Sequence, residues 1–315
     1  MIDVSIIIVS YDTKKMLRDC VRSIIAQTDE CTYEITVIDN DSDDGSADAV
    51  QAEFKRVQVI RTGENCGFGR ASNWAAKDAK GRRILLLNPD TIVIDKAIDR
   101  LIGFANQYPH AKIWGGRTLL EDGSLDQRCC RRHLNLWSLF CFVFGLAYAF
   151  PKNAVLNSEL YGGWQRDCAR LVDVVTGSFL LIDRALWMAL NGFDPIYFMY
   201  GEEIDLCRPA TTHGATPMFS PHAALLHYGG RSETSAVDKR IKLLKAHITF
   251  IKRHWRGSTL FWGLVLFRIL PLPRKILYHA ASNIRPKYRS NAETWGHVWQ
   301  VRNIWMNGYS ALDNR

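Results

Sequence analysis

Short unbroken apolar runs alternate, along the first hundred residues, with stretches whose apolar positions recur at helical spacing. VSIIIVS (4–10) is continuous and β-branched, the pattern of a parallel strand covered on both faces. In the segment that follows, Leu17, Cys20, Val21, Ile24 and Ile25 fall on one helical stripe, and Asp12 or Thr13 could cap its start. EITVIDN (34–40) reads as a second strand, and the polar turn DSDDGS leads to a short helix through Phe54. VQVIRT (57–62) reads as a third strand. GENCGFGRASNWAAKDAKG is a glycine-containing loop entering a helix that stops at Gly81, and RILLLN closes the series as a fourth strand. This strand–helix alternation predicts an α/β fold with a mostly parallel, Rossmann-like sheet flanked by helices and joined by right-handed crossovers.

The pattern also says where chemistry belongs. Open α/β sheets bind ligands beyond the carboxyl ends of their strands. Ser10 and Tyr11 end the first strand, Asp39 the second and Asp90 the fourth, so all line one edge. A single strand-end Asp is an ordinary turn or cap residue, but two on one edge beside a glycine loop point to a ligand. In NPD, Pro89 fixes its own φ and biases Asn88 toward extended backbone. Asp90 then projects from a stiff turn, which suits a ligand to a hard cation such as Mg²⁺ or Mn²⁺. The glycine loop lacks both the dinucleotide spacing and the Gly-Lys-Ser/Thr of a P-loop.

A second informative block runs from Val172 to Cys207. FLLI is a strand, and GEEIDLC places Glu202, Glu203 and Asp205 within four residues. Carboxylates at a helix start are stabilised by the helix dipole, while in a crevice one of them can serve as a general base. Downstream, His227 follows an apolar run and is a better metal ligand than His222.

Composition narrows the picture further. The 315 residues are 47% hydrophobic and 23% charged, which is globular rather than disordered. The eight cysteines are scattered without metal-ligand spacing, as in reduced intracellular thiols. Neither a transmembrane stretch nor a secretory signal is read. Charge is uneven: residues 1–230 carry 24 Lys+Arg against 28 Asp+Glu, and residues 231–315 carry 16 against 4. A basic tail calls for an anionic partner or is a solvated helical face.

The ordered set SIIIVSYDT, VIDNDSDDGS, ENCGFGRASN, LLLNPDT, VTGSFLLI, GFDPIYFMYGEEIDLC and HYGGRS resembles glycosyltransferase family 2, the inverting enzymes with the GT-A fold, over roughly residues 3 to 232. The likeness is greatest to rhamnosyltransferases of bacterial surface polysaccharide assembly. It implies a nucleotide-sugar donor and a divalent metal. Residue by residue, it implies that Ser10 and Tyr11 surround the nucleoside and Asp39 contacts the base. Asn65, Gly67, Phe68 and Asn73 would lie beside the nucleotide sugar. Asp90 stands where the family has the last Asp of its D-x-D element, Asn88 takes that element's first position, and His227 matches the histidine near metal and diphosphate. Glu203 falls where the family usually has the Asp of its catalytic pair, with Glu202 as the substitute, and Pro209 stands in place of the usual Arg. Proline in that helix is expected to break or kink it.

The division expected from these signals is a GT-A catalytic domain over 1–230 and a helical basic extension over 231–315. LNLWSLFCFVFGLAYAFP (134–151) is short for a spanning helix and reads either as a buried helix or as an acceptor-side surface. In the tail, Ile241, Leu244, Ile248, Ile251 and Trp255 form an apolar stripe with lysines elsewhere, which suits an anionic membrane surface. The expected partners are therefore a nucleotide-sugar donor, a lipid-linked glycan acceptor and the inner face of the plasma membrane, with the protein cytoplasmic and peripheral, and no nucleic acid. The leading donor is dTDP-rhamnose. A UDP-sugar such as UDP-galactofuranose, a nucleotidyltransferase and a non-catalytic nucleotide-sugar-binding subunit are the competing readings.

Overall fold

A computed structural model of the chain describes residues 1–229 and 235–310. In chain order the first region comprises β1 (Val4–Ser10), α1 (Lys14–Gln27), β2 (Tyr33–Asp39), α2 (Ser46–Glu53), β3 (Gln58–Arg61), α3 (Phe68–Ala76), β4 (Arg83–Leu87), β5 (Thr91–Val93), α4 (Ala97–Gln107), β6 (Ile113–Leu119) and β7 (Cys130–Arg131). Two short helices, α5 (Leu136–Val143) and α6 (Leu146–Ala149), come next. β8 (Arg170–Leu171), β9 (Val174–Val175), β10 (Phe179–Asp183), α7 (Arg184–Ala189), α8 (Glu202–Ala210) and β11 (Met218–His227) follow; β8, β10 and β11 return to the main sheet, while β9 pairs with β7 in a separate two-stranded ribbon. The remainder is helical: α9 (Ala236–His254), α10 (Gly257–Ile269), α11 (Pro271–Ile284), α12 (Arg289–Gln300) and α13 (Arg302–Trp305).

The chain divides into two compact units. The first contains residues 1–131, 165–198 and 202–232, and holds the nine-stranded sheet. Its strands run β3-β2-β1-β4-β10-β6-β11-β5, with β8 beside β11. β3, β2, β1 and β4 are parallel, as their alternation with helices predicts. Beyond β4 the sheet is mixed: β10 runs antiparallel to both β4 and β6, and β11 is parallel to β6 but antiparallel to β5. Every residue of β1 and β4 is buried. Against them α1 packs the predicted stripe, with Leu17, Cys20, Val21 and Ile24 buried and Ile25 exposed. Each fully buried side chain of this kind contributes about 1.5–3 kcal/mol.

Three local expectations differ in detail. Neither Asp12 nor Thr13 caps α1 with its side chain. Thr13 Oγ1 is 2.8 Å from Ser10 Oγ, and the Lys14 N–H instead donates to Asp44 Oδ2 at 2.7 Å, so the cap is supplied by the turn before α2. The α3 helix ends at Ala76, short of Gly81. Pro209 is accommodated at the penultimate position of α8, where the helix is about to end anyway.

The second unit contains residues 132–164, 199–201 and 233–315. The apolar stretch at 134–151 is two helices rather than one, because Gly145 turns the chain at φ +76° between α5 and α6. Asn135 and Ser138 form a reciprocal capping box at the start of α5. At its end, the buried Arg274 of α11 donates to the carbonyls of Phe142 (2.7 Å) and Val143 (3.1 Å). Its guanidinium stacks over the Phe142 and Trp295 rings. In α9 the stripe expected to suit a membrane surface is instead packed inward: Leu244, Ile248 and Ile251 are buried, as is Trp255 just beyond, and Ile241 is half-buried, because the helices of this unit need an apolar core. One face of α5 stays outside, where Trp137, Phe140 and Phe144 are exposed and form a ladder with ring separations of 5.7 and 4.7 Å. No helix among the described residues is long and apolar enough to cross a membrane.

Candidate functional site

The candidate site residues, from Ser10 to His227, lie in the sheet-bearing unit, with Ser10, Asp39, Asn88 and Asp90 at or just beyond the carboxyl ends of β1, β2 and β4, Asn73 on α3 and Glu202 and Glu203 at the start of α8. Ser10 and Asp39 are direct partners across the parallel β1–β2 pair, so the two strands deliver both side chains to one edge. Asp39 is buried, and its Oδ2 receives only a long 3.4 Å contact from the Ser42 N–H. Its Oδ1 is buried with no hydrogen-bond partner among the described residues. A buried carboxylate oxygen without a donor is costly, and a ligand N–H would relieve that cost. Tyr11, next along from Ser10, is exposed at 38%.

The glycine loop closes over this edge through an asparagine pair. Asn40 Nδ2 donates to Asn65 Oδ1 at 2.8 Å, while Asn40 Oδ1 accepts the Cys66 N–H at 3.1 Å and Asn65 Oδ1 accepts the Gly67 N–H at 3.2 Å. Gly67 has φ +82° and ψ 167°, a conformation essentially confined to glycine, and a Cβ there would sit 2.2 Å from the Phe198 carbonyl oxygen. The next residue, Phe68, donates its N–H to that same carbonyl at 3.0 Å and starts α3. Asn73 lies one turn further on. Its amide is committed to protein: Nδ2 donates to the Phe193 carbonyl (2.8 Å) and Oδ1 accepts the Phe193 N–H (2.9 Å). Asn73 thus braces the NGFD turn against α3.

A second group forms after β4. The NPD turn is pinned on both sides, by the Asn88 N–H to the Ser178 carbonyl (3.4 Å) and by the Tyr228 N–H to the Asp90 carbonyl (3.0 Å). Thr91 Oγ1 donates back to the Asn88 carbonyl at 2.7 Å. The β5–β11 register sets His227 opposite Thr91. His227 Nε2 consequently lies 3.3 Å from Asp90 Oδ1 and 3.3 Å from Asn88 Nδ2. Asp90 is only 3% exposed. One carboxylate and one imidazole are the hard and borderline donors that a Mg²⁺ or Mn²⁺ ion accepts. No group of three protein ligands occurs among the described residues, so such an ion would draw its other ligands from substrate or water. Cys20 Sγ lies beneath the turn, 3.6 Å from the Asn88 carbonyl, and burial pushes its thiol up to about 12.

The carboxylates of α8 form the third group. Glu202 and Asp205 are buried, and Tyr197 donates its hydroxyl to Asp205 Oδ1 at 3.1 Å. Glu203 is partly exposed, and its Oε1 accepts from an Arg131 guanidinium nitrogen at 2.8 Å. Glu203 and Phe68 both border Gly177, whose absent side chain leaves room between them. The glycine loop and the α8 carboxylate are therefore neighbours. Of the HYGGRS motif, Gly230, Arg231 and Ser232 lie outside the described residues.

Neither Arg131 nor Asn40 is marked out by the sequence pattern. Asn40 stands inside a motif whose Asp carries the signal, and its role is visible only once Asn65 is beside it. Arg131 is one of two adjacent arginines after the cysteine pair and carries no sequence signal linking it to a helix 72 positions away.

Residues 5–158 match the family described as Glycosyl transferase family 2. The chain is 26% identical over 283 residues to the N-acetylglucosaminyl-diphospho-decaprenol L-rhamnosyltransferase of Mycobacterium tuberculosis (strain ATCC 25618 / H37Rv), covering 82% of this chain and 88% of that protein. It is 27% identical over 262 residues to the rhamnosyltransferase WbbL of Escherichia coli (strain K12), covering 79% and 93% respectively. Among solved structures, a mannosyltransferase from Pyrobaculum calidifontis in complex with GDP-Man and Mn²⁺ superposes with a TM-score of 0.59 at 15% identity, over 96% of this chain and 87% of that one. That likeness is one of fold.

Proposed function

The chain carries a glycosyl transferase family 2 domain over residues 5–158 and is a glycosyltransferase, and on that premise we propose that it transfers L-rhamnose from dTDP-rhamnose, with inversion, onto a lipid-linked glycan of a bacterial surface polysaccharide. The observation that carries the reading is the convergence of Asp90, His227 and Asn88 at the end of β4, on the edge that also holds the unsatisfied Asp39 carboxylate. The rhamnosyltransferase relatives, one of them named for a polyprenyl-linked sugar diphosphate, favour this donor and this acceptor over a UDP-sugar.

In this reading Asp39 Oδ1 accepts an N–H of the pyrimidine, and Ser10 and Tyr11 flank the nucleoside. Asn65 and Gly67 shape the wall beside the sugar, with Phe68 supplying an apolar surface. Asp90 and His227 would hold a divalent cation, whose charge offsets that of the departing diphosphate. Glu203 acts on the opposite side of the reacting carbon. It accepts the proton of the acceptor hydroxyl as that oxygen bonds to the anomeric carbon, and the electron pair of the broken C–O bond leaves with the diphosphate. Glu202 and Asp205, buried in the first turn of α8, hold the helix that carries it.

The second unit supplies a bilayer contact in the same reading. Its sequence is strongly basic, and the exposed Trp137–Phe140–Phe144 ladder offers an apolar aromatic surface that includes a tryptophan, the residue type favoured at a membrane interface. The enzyme is then peripheral to the inner leaflet.

The test is calorimetry of the full-length protein with dTDP-rhamnose, dTDP, UDP-galactose and UDP-N-acetylglucosamine, with and without Mn²⁺. Binding of dTDP-rhamnose that depends on Mn²⁺ is expected. Selective binding of a UDP-sugar would replace the donor, and binding indifferent to metal would remove the role given to Asp90.

A further inference from the structure

Glu203 stands where the family that the sequence resembles usually has Asp, and a longer side chain has one more torsion to restrain. The structure supplies the restraint. Arg131 closes β7, which pairs antiparallel with β9 so that Arg131 faces Val174 in register. β7 itself is held in place: Asp126 caps the turn before it, accepting the Arg128 N–H at 3.0 Å, and the Thr176 N–H donates to the Cys129 carbonyl at 3.1 Å. From that fixed strand the Arg131 guanidinium reaches Glu203 Oε1 at 2.8 Å, with both side chains largely buried (21% and 12% exposed). The contact uses one oxygen. Among the described residues Oε2 of Glu203 carries no hydrogen bond.

We propose that Arg131 is the positioning residue for the proton acceptor of transfer, holding Oε1 so that Oε2 is the oxygen that takes the acceptor's proton. The inference rests on the assignment of Glu203 as general base. The geometry explains how a glutamate can stand in for an aspartate here. Its reach is greater by about one C–C bond, and a misplacement of about 1 Å in a catalytic group can cost on the order of 100-fold in rate. A guanidinium anchored to a strand removes that freedom by fixing one oxygen through a single charge-assisted hydrogen bond. Proton and electrons balance as in transfer itself: the hydroxyl proton ends on Oε2, the acceptor oxygen bonds to the anomeric carbon, and the diphosphate leaves with the electron pair of the bond that breaks. Arg131 exchanges no proton.

The experiment uses the full chain and measures release of dTDP from dTDP-rhamnose, with water or a polyprenyl-diphospho-N-acetylglucosamine as acceptor, alongside calorimetric donor affinity. Arg131→Ala is expected to lower kcat about 10- to 100-fold while the donor Kd changes by less than about twofold. Arg131→Lys should recover part of the loss, and added guanidinium should restore Arg131→Ala toward wild type. Urea unfolding of both variants separates a folded, slow enzyme from an unfolded one, and Arg131→Lys retains the test if Arg131→Ala does not fold. Unchanged kcat in Arg131→Ala overturns the proposal, as does a loss of donor affinity equal to the loss of rate, or a loss that neither lysine nor guanidinium repairs. If Glu203→Gln keeps wild-type turnover, or the wild type releases no nucleotide from dTDP-, UDP- or GDP-sugars, it is the underlying reading that fails, and the two failures are told apart by those controls.

Discussion

Replacing Gly67 by alanine probes the loop beside the proposed donor edge. At φ +82° and ψ 167° a non-glycine residue costs about 1–3 kcal/mol in backbone strain alone. The added Cβ would meet the Phe198 carbonyl oxygen at 2.2 Å and its carbon at 3.0 Å. Both are backbone atoms, so no side chain can swing away. Relief requires the two segments to part, which breaks the 3.0 Å hydrogen bond from the Phe68 N–H to the same carbonyl at a further cost of about 1 kcal/mol. Gly67→Ala should therefore cost about 2–4 kcal/mol in all, either as lost global stability or as a displaced loop. Gly63→Ala is the control: its φ is +76° and nothing lies within 4 Å of a Cβ there, so only the left-handed penalty of about 1–2 kcal/mol applies. Urea unfolding monitored by tryptophan fluorescence, with calorimetric titration of dTDP-rhamnose on the same samples, reads both outcomes. A stable Gly67→Ala protein with weakened donor binding means that the loop has moved. If Gly67→Ala matches Gly63→Ala within about 0.5 kcal/mol and binds donor normally, the close approach to Phe198 has no energetic weight and the reasoning is wrong.

Asp90→Ala should abolish the Mn²⁺ dependence of donor binding and leave the urea midpoint near wild type, since the turn is pinned by backbone hydrogen bonds from Asn88 and Tyr228; a variant that still needs Mn²⁺ would displace Asp90 from the metal site. Replacing Trp137, Phe140 and Phe144 together by serine should reduce sedimentation with anionic liposomes at least tenfold, on the scale of about 1.5 kcal/mol or more per aromatic buried; undiminished binding would remove the ladder from any membrane role. Cys20 and Cys207 are both buried and pushed up to about 12, so about one thiol in ten thousand is ionised at pH 8. Iodoacetamide should therefore modify the exposed Cys168 of the folded protein and spare those two, and all eight cysteines should react in urea. Rapid native labelling of Cys20 would mean that the NPD turn opens readily.

The local layers of this protein are written in short-range patterns. The continuous apolar runs at 4–10 and 84–87, the stripe of Leu17, Cys20, Val21 and Ile24, and the stripe of α9 each reflect a period of one strand or helix, and neighbouring residues suffice to state them. The strand ends follow from the same pattern, which is why the order of residues alone puts Asp39 and Asp90 on one edge. What sequence order does not contain is pairing between distant segments. His227 meets Asn88 across 139 positions because β11 adds antiparallel to β5, a register set by the packing of the mixed half of the sheet. Asn73 has the position of a ligand residue, yet its amide is consumed by Phe193, 120 positions on. The apolar stretch at 134–151 carries a helical pattern all round, and only the fold decides that Leu139, Cys141 and Val143 turn inward while the aromatic ladder faces out. Arg131 and Glu203 are each unremarkable in sequence, one in a basic pair and the other in an acidic helix start. Their 2.8 Å contact exists because a two-residue strand and a helix N-terminus are brought to the same edge by chain folding, an arrangement that depends on contacts across the whole sheet-bearing unit.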